Sequence, residues 1–388
     1  MNLLKKKIFN FRPLFCIFIS LINGIVFSHF ILKSNYVYLG IFIFILTSLL
    51  TLAILTKKIK QFLLILFSFI CGLTLYIFEI KNFCPEPINN TSNIVARVSA
   101  ESSIKSKYQC VILDDVTING EKQNYNIMII NYNTDNLFVD GEIINGNVTL
   151  SVCNIFNDDY FNSTAYKNNI KYVVRAKHSE FSVIGNDLKF NENIQKAIKN
   201  QLDKFMTEEN SAISYAMMFG DKSDIDYETR TNFSKSGIAH ILAISGLHVG
   251  VLVALLTWIL KKCKVNRFVN FGVIATFLIL YCYLCSFSTS VVRASIMSII
   301  VLSANLIGKR YDSLSAIGLA GIILLLIRPL SIFDVGFQMS FACVIGIAVL
   351  APTISKFFIK IKFPKTLANA FALSIARVST TSTCSHPP

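Results

Sequence analysis

Apolar residues fall in long unbroken runs toward both ends of the chain and in short interrupted runs in the middle. The first long runs are Leu14–Leu32, Tyr36–Leu55 and Phe62–Ile80. Each is close to the roughly 20 residues that a helix needs to cross a bilayer. Long runs resume at Ser236–Leu260, Phe268–Phe287, Thr289–Gly308, Leu314–Ile327 and Val335–Ile354. A last one starts near Thr366 and stops at Ala376, where RVSTTSTCSHPP follows. About ten apolar residues cannot span. The expectation there is a truncated or frame-shifted product with an aberrant tail at 377–388.

Between 81 and 187 the apolar residues come as NIVARVSA, YQCVILDDVTI, YNIMIINY, EIINGNVTLSV, YVVRAKH and FSVIG. Asn119-Gly120, Asp140-Gly141 and Asn145-Gly146 are turn dipeptides between or within these runs. Short strands at this spacing predict a small barrel or sandwich of OB size. From 188 the spacing turns helical: Phe190, Ile194, Ala197, Ile198, Leu202, Phe205 and Met206 share a face that Lys196, Lys199, Asp203 and Lys204 avoid. Such a helix lies on a membrane surface or packs on the barrel. A polar hinge, GDKSDIDYETRTNFSKSG, precedes the next span.

The predicted class is a polytopic α-helical membrane protein with an inserted extracytoplasmic small β-barrel (OB-like) domain. Residues 1–80 hold three N-terminal spans and 81–187 the β domain. Residues 188–235 hold the amphipathic helix and hinge, and 236–376 about five further spans. Composition agrees: 53% of the residues are hydrophobic and 15% charged, against about 25% charged in soluble domains.

Charge adds orientation. Residues 81–210 carry 13 Lys and Arg against 16 Asp and Glu, a net of −3, which leaves +17 on the rest of a chain whose total is +14. The positive charge sits in alternate short loops, at Lys5, Lys6, Lys7 and Arg12, at Lys57, Lys58 and Lys60, at Lys261, Lys262, Lys264 and Arg267, and at Lys309 and Arg310. By the positive-inside rule the N-terminus is cytoplasmic and residues 81–235 are extracytoplasmic. The basic total is thereby explained without nucleic acid. The first run is too long for a signal peptide and lacks a small-residue cleavage site. Six of the ten cysteines lie in or beside apolar runs and read as small hydrophobes. Cys110 and Cys153 lie in the segment read as extracytoplasmic and are a candidate disulfide.

Candidate chemistry centres on SGIAHILAISGLHVG, residues 236–250. Gly237, His240, Ser245, Gly246, His248 and Gly250 interrupt an apolar run, where polar groups persist only if protein or a wet cavity covers them. Three readings fit: a Ser245–His248 nucleophile and base, which lacks an orienting acid; glycine, serine and histidine packed between helices; and the lining of a translocation path. Arg293 either snorkels to the headgroups or meets a phosphate. Gln338 and Ser340 bond between helices or line the path. Asp221, Asp224, Asp226 and Glu228 lack the calcium-loop pattern and read as a solvated acidic turn with a helix cap. No phosphate loop, dinucleotide fingerprint or HExxH is present, so no metal or cofactor is expected.

The stretch GDKSDIDYETRTNFSKSGIAHILAISGLHVG resembles the signature of the ComEC family of competence DNA-uptake channels. FSTSVVRASIM, the stretch LIGKRYDSLSAIGLAGIILLLIRPLSIFDVGFQMSF and VIGIAVLAP resemble its later motifs. Residues 92–185 are similar to its OB-type outer domain. The resemblance implies an inner-membrane channel that imports single-stranded transforming DNA, not an enzyme. It places Gly220, Asp221, Gly237, His240, Ser245, Gly246, His248, Gly250, Arg293, Gly336, Phe337 and Gln338 on motif positions. The HxHxDH motif of the nuclease domain found in longer members is absent here. Expected partners are single-stranded DNA, membrane lipids, a DNA receptor, a cytoplasmic helicase motor and further copies of the chain. Tyr125, Tyr132 and Phe138 are candidate stacking faces for bases. A transporter or exporter of another polyanion or glycan, and an intramembrane serine hydrolase at Ser245, are the competing readings.

Overall fold

A computed structural model describes residues 12–32, 59–83, 87, 91–99, 103–105, 108–132, 136–154, 156–157, 160–221, 224–236, 246–307 and 312–360. The expected span at Tyr36–Leu55 and the segment from Thr366 onward lie outside these residues. The chain divides into two compact units, Met1–Ile80 with Ile299–Pro388, and Lys81–Ser298.

In chain order the elements open with α1 (Pro13–Leu32) and α2 (Ile59–Phe83). These two helices cross on glycine. A methyl on Gly24 would run into the Phe69 carbonyl oxygen, and one on Gly72 into the Leu21 carbonyl oxygen. Serines tie the same crossing, Ser20 Oγ donating to the Ile65 carbonyl at 2.6 Å and Ser68 Oγ to the Ile17 carbonyl at 2.8 Å. Small residues and hydroxyl bonds replace hydrophobic burial where lipid is the solvent. Deeper in the pair, buried His29 meets the Tyr76 hydroxyl through Nδ1 at 2.8 Å, with the Phe333 ring 4.7 Å from its own.

The middle of the chain forms β1 (Thr91–Val98), β2 (Ser103–Lys105), β3 (Tyr108–Ile118), β4 (Glu121–Lys122), β5 (Asn126–Asn131), β6 (Glu142–Thr149), β7 (Ser151–Val152), β8 (Phe156–Asn157), β9 (Tyr160–Phe161), the short helix α3 (Ser163–Lys167), β10 (Ile170–Arg175) and β11 (Ser182–Asn186). Nine strands make one mixed sheet in the order β11-β6-β1-β3-β5-β10-β7, with β2 and β4 on β3. All pairings are antiparallel except β5 with β10. The closed barrel expected from the sequence is not what the pairing gives: among the described residues the path is open, ending on β11 and β7. Strands β6 and β7 are consecutive in the chain with Leu150 between them, yet they pair on different neighbours.

Period-two alternation builds the core. Ile94, Ala96 and Val98 of β1, Val111 and Leu113 of β3, Ile127 and Ile129 of β5 and Val174 of β10 fall in one buried cluster. The opposite face carries a smaller cluster of Ile112, Cys153, Ala165 and Ile170, with Ala165 contributed by α3. Two of the three turn dipeptides form turns: Asn119 and Gly120 take φ 48° and 88°, and Gly141 takes 88°. Asn145-Gly146 does not. It lies inside β6, where a methyl on Gly146 would strike the Phe181 ring at 2.6 Å. The glycine there makes room for an aromatic ring rather than for a bend.

The expected Cys110–Cys153 disulfide is corrected as well, since neither cysteine is disulfide-bonded. Cys110 on β3 pairs with Ile130 of β5, which pairs in turn with Arg175 of β10. Cys153 binds β10 at Lys171 instead. Three strand spacings of about 4.8 Å separate the two, far beyond the roughly 4.4–6.8 Å between Cα atoms that a disulfide needs.

After the sheet come α4 (Phe190–Phe205), α5 (Glu208–Phe219), α6 (Tyr227–Lys235), α7 (Gly246–Lys262), α8 (Arg267–Leu284) and α9 (Thr289–Ile307). The chain continues through α10 (Ser313–Ile327), a short 3₁₀ turn at Pro329–Phe333 and α11 (Val335–Lys360). Helix α10 lies against α1, Gly318 touching the Leu14 and Phe15 backbone and Gly321 the Phe18 ring, while Arg12 pairs with Asp312 at 2.9 Å. Among the described residues α1, α2 and α8 are long and apolar enough to cross a membrane, and Ser290–Ala304, Ser313–Ile327 and Val335–Leu350 are shorter apolar helices.

Candidate functional site

The motif residues are distributed over both units. In the unit holding the sheet, Gly220 ends α5 in the left-handed conformation, φ 81°, its N–H bonded to the Ala216 carbonyl. A side chain is strained at that angle, so glycine is the natural terminator. The last turn of α5 is fastened to the end of α8. Tyr281 donates its hydroxyl to the Met218 carbonyl at 3.0 Å, and the Cys285 thiol reaches the same oxygen at 3.8 Å.

The acidic residues that follow behave as a turn and a cap. Asp224 pairs with Lys199 of α4, and Asp226 accepts the Thr229 N–H at 2.9 Å at the start of α6. No group of metal-ligating side chains occurs among the described residues. Asp140, at the turn before β6, keeps one side open to water. The protein crowded around it and the charges of Asp221, Glu192 and Asp224, against only Lys199, push its carboxyl up to about 6.

Gly246, His248 and Gly250 occupy the first turns of α7. A methyl on Gly246 would meet the Ala294 methyl at an ordinary 3.6 Å, and one on Gly250 would meet no described atom within 4 Å. Neither glycine is squeezed by a described neighbour, unlike Gly24 and Gly72. Arg293, adjacent to Ala294 on α9, is 7% exposed and is folded into the protein rather than snorkelling outward. Gly237, His240 and Ser245 lie outside the described residues, and with them the Ser245–His248 pairing.

In the other unit, Gly336, Phe337 and Gln338 begin α11. The Gly336 N–H bonds Asp334 Oδ1 at 3.2 Å. Phe337 is core, stacked on Phe341 with ring centroids 4.4 Å apart. Exposed Gln338 donates Nε2 to the Ile332 carbonyl at 2.9 Å, clasping the 3₁₀ turn in its own chain segment rather than bonding across helices.

The aromatic candidates separate. Phe138 is buried at 3%, held by Gln109, whose amide bonds both its carbonyl and its N–H. It offers no stacking face. Tyr125 packs against the core beside Tyr172, with Lys171 over its ring at 5.3 Å. Tyr132 is 57% exposed and pairs with Tyr108 at 5.8 Å. Nothing in the sequence sets Tyr108 apart, one tyrosine among 14.

Also invisible in the sequence is a buried ion cluster that joins the sheet to α4. Arg97 of β1 donates to Glu192 at 2.7 Å, to Asp114, and to the Asp187 carbonyl at 3.3 Å, while Lys189 joins Asp114 at 2.7 Å. Burial works against the charged guanidinium, but Glu192 and Asp114 outweigh it and raise its pKa.

Comparison with known proteins bears on the same stretch. Residues 217–384 match a family model described as Competence protein. The ComE operon protein 3 of Bacillus subtilis is 37% identical over 149 residues, 38% of this chain and 19% of that protein. The Recombination protein 2 of Haemophilus influenzae is 29% identical over 134 residues, 32% of this chain and 17% of that protein. An uncharacterized protein of Aquifex aeolicus is 28% identical over 149 residues, 38% of this chain and 35% of that protein. The matched stretch thus spans less than a fifth of the first two relatives. No solved structure matches the chain.

Proposed function

We propose that the chain, whose residues 217–384 match the Competence protein model, is part of an inner-membrane channel of the ComEC family that admits single-stranded transforming DNA. The observation that carries this reading is Arg293, an arginine buried in an apolar helix of the family-matched stretch, one residue from the contact with Gly246. An arginine retained in such a place marks a path for charge more often than a fold requirement. Its planar fork suits phosphate oxygens. Gly246 and Gly250, one turn apart on α7 and not crowded by any described neighbour, fit a lined path.

The sheet is proposed to act as an OB-like extracytoplasmic domain. Its net charge gives no long-range pull on DNA, so contact with the strand falls to stacking on the Tyr108–Tyr132 pair, which accepts any base. The N-terminus is cytoplasmic in this reading. A DNA receptor, a helicase motor and further copies of the chain are proposed partners.

The test is uptake in a naturally transformable cell carrying Arg293→Ala in the native gene. Nuclease-protected single-stranded DNA should fall about a hundredfold, equivalent to roughly 3 kcal/mol, with surface-bound DNA and membrane-inserted protein unchanged. Undiminished uptake with normal protein levels removes Arg293 from the path.

A further inference from the structure

Helix α4 is packed the wrong way round for a soluble amphipathic helix. Its polar edge is the one that meets protein. Glu192 is buried against Arg97, Lys199 pairs with Asp224 of the hinge, and Asp203 accepts the Ser211 hydroxyl of α5. Asn191 reaches Ser286 at 3.4 Å, and Gln195 donates to the Leu284 carbonyl at the end of α8. The apolar stripe is left open. Phe190 is 70% and Phe205 84% exposed, and an apolar groove runs along Ile194, Ile198 and Leu202 between them.

The angular order says what lies beyond the stripe. At about 100° per residue, the stripe centres roughly 160° around the helix from Glu192, on the side away from the sheet. Asn191 and Gln195, which touch the end of α8, lie on the Ile198–Leu202 side of the stripe, Asn191 between those two in angle and Gln195 just beyond them. Whatever surrounds α8 at that end is therefore continuous with what the stripe faces. Helix α8 is apolar enough to be a membrane span, with mean hydropathy 1.7. On the other border stands exposed Lys204, a cation placed to meet anionic headgroups while its stem covers apolar surface.

We propose that the apolar stripe of α4 is seated on lipid, along the headgroup–acyl boundary beside the end of α8. The inference rests on reading α8 as a membrane span. Seated so, α4 sets the height of the sheet above the bilayer, because the Arg97 cluster fixes β1 to its opposite edge.

Trp258 is the chain's single tryptophan, so a Trp258→Phe background accepts one reporter at a time. Phe205→Trp, with Phe190→Trp as a second position, reads α4. Val273→Trp, near the middle of α8 and 41% exposed, reads the span. The whole chain is reconstituted in vesicles of zwitterionic and anionic lipid that carry a quencher either near the headgroup or deep in the acyl chain. The proposal expects blue-shifted emission at 205 and 190 that the shallow quencher removes more than the deep one, with the reverse order at 273. Reporters on α4 that emit as in water and yield to aqueous acrylamide overturn it. Reporters protected from both acrylamide and lipid quenchers overturn it too, since a second copy of the chain or another protein then covers the stripe. If 273 is quenched by lipid while 205 and 190 are not, the seat is refuted and the span survives. If 273 itself escapes lipid quenching, the membrane reading of α8 falls with it.

Discussion

Arg97 shows what alternation along a strand can and cannot convey. Ile94, Ala96 and Val98 are legible as inward residues of β1, and Arg97 falls between them on the other face, where a charge reads as solvated. Its partner Glu192 lies 95 residues away, and no local pattern announces it. Removing the guanidinium leaves two carboxylates with their oxygens turned into protein. Arg97→Met should therefore cost about 3–5 kcal/mol, the usual penalty for breaking a buried pair from one side, seen as a lower melting temperature in detergent. Adding Glu192→Gln should recover part of it, because Lys189 still answers Asp114. Asp140 offers a test in pH. Its carboxyl is pushed up to about 6 in the folded chain, above the 3.8 of a free aspartate, so the folded state holds the proton longer. Stability then declines as pH rises between those values. Asp140→Asn should match the wild type near pH 4 and exceed it above pH 6 in thermal melts; equal profiles at both would mean that Asp221 and Asp224 do not press on it.

Elements were legible where their period was long and regular. Helical spacing located α4 and its apolar face, but not which face would bind protein, because polar partners from β1, the hinge, α5 and the end of α8 decided that. The same limit applies to glycine. Gly24, Gly72, Gly246 and Gly250 look alike in apolar runs, yet only the first two stand where backbones touch. Gly24→Ile should force α1 and α2 apart and break the Ser20 and Ser68 bonds, at a cost of at least about 2 kcal/mol given the overpacking. The yield of folded protein extracted from membranes should drop sharply, and wild-type yield and melting would show that the crossing is looser than its geometry. The turn dipeptides divide by the same logic: Asn119-Gly120 and Asp140-Gly141 bend the chain, whereas Gly146 serves Phe181 from inside a strand.

At the scale of the whole chain, hydropathy conveyed the alternation of apolar helices with a polar β insertion, and the long motif of residues 220–250 lies within the stretch that matches the Competence protein model. Barrel closure and the disulfide did not follow, since both depend on which strands become neighbours, and β5 and β10 come between Cys110 and Cys153. In the proposed function, the first turns of α7 border a hydrated route for a single DNA strand. The direct measurement places Gly246→Cys or Gly250→Cys in a chain cleared of its ten native cysteines and follows labelling by a membrane-impermeant thiol reagent in intact membranes. Both positions should react, and single-stranded oligonucleotide should slow the reaction. Cysteines that stay unlabelled, or that react at the same rate with and without DNA, would contradict the proposed route.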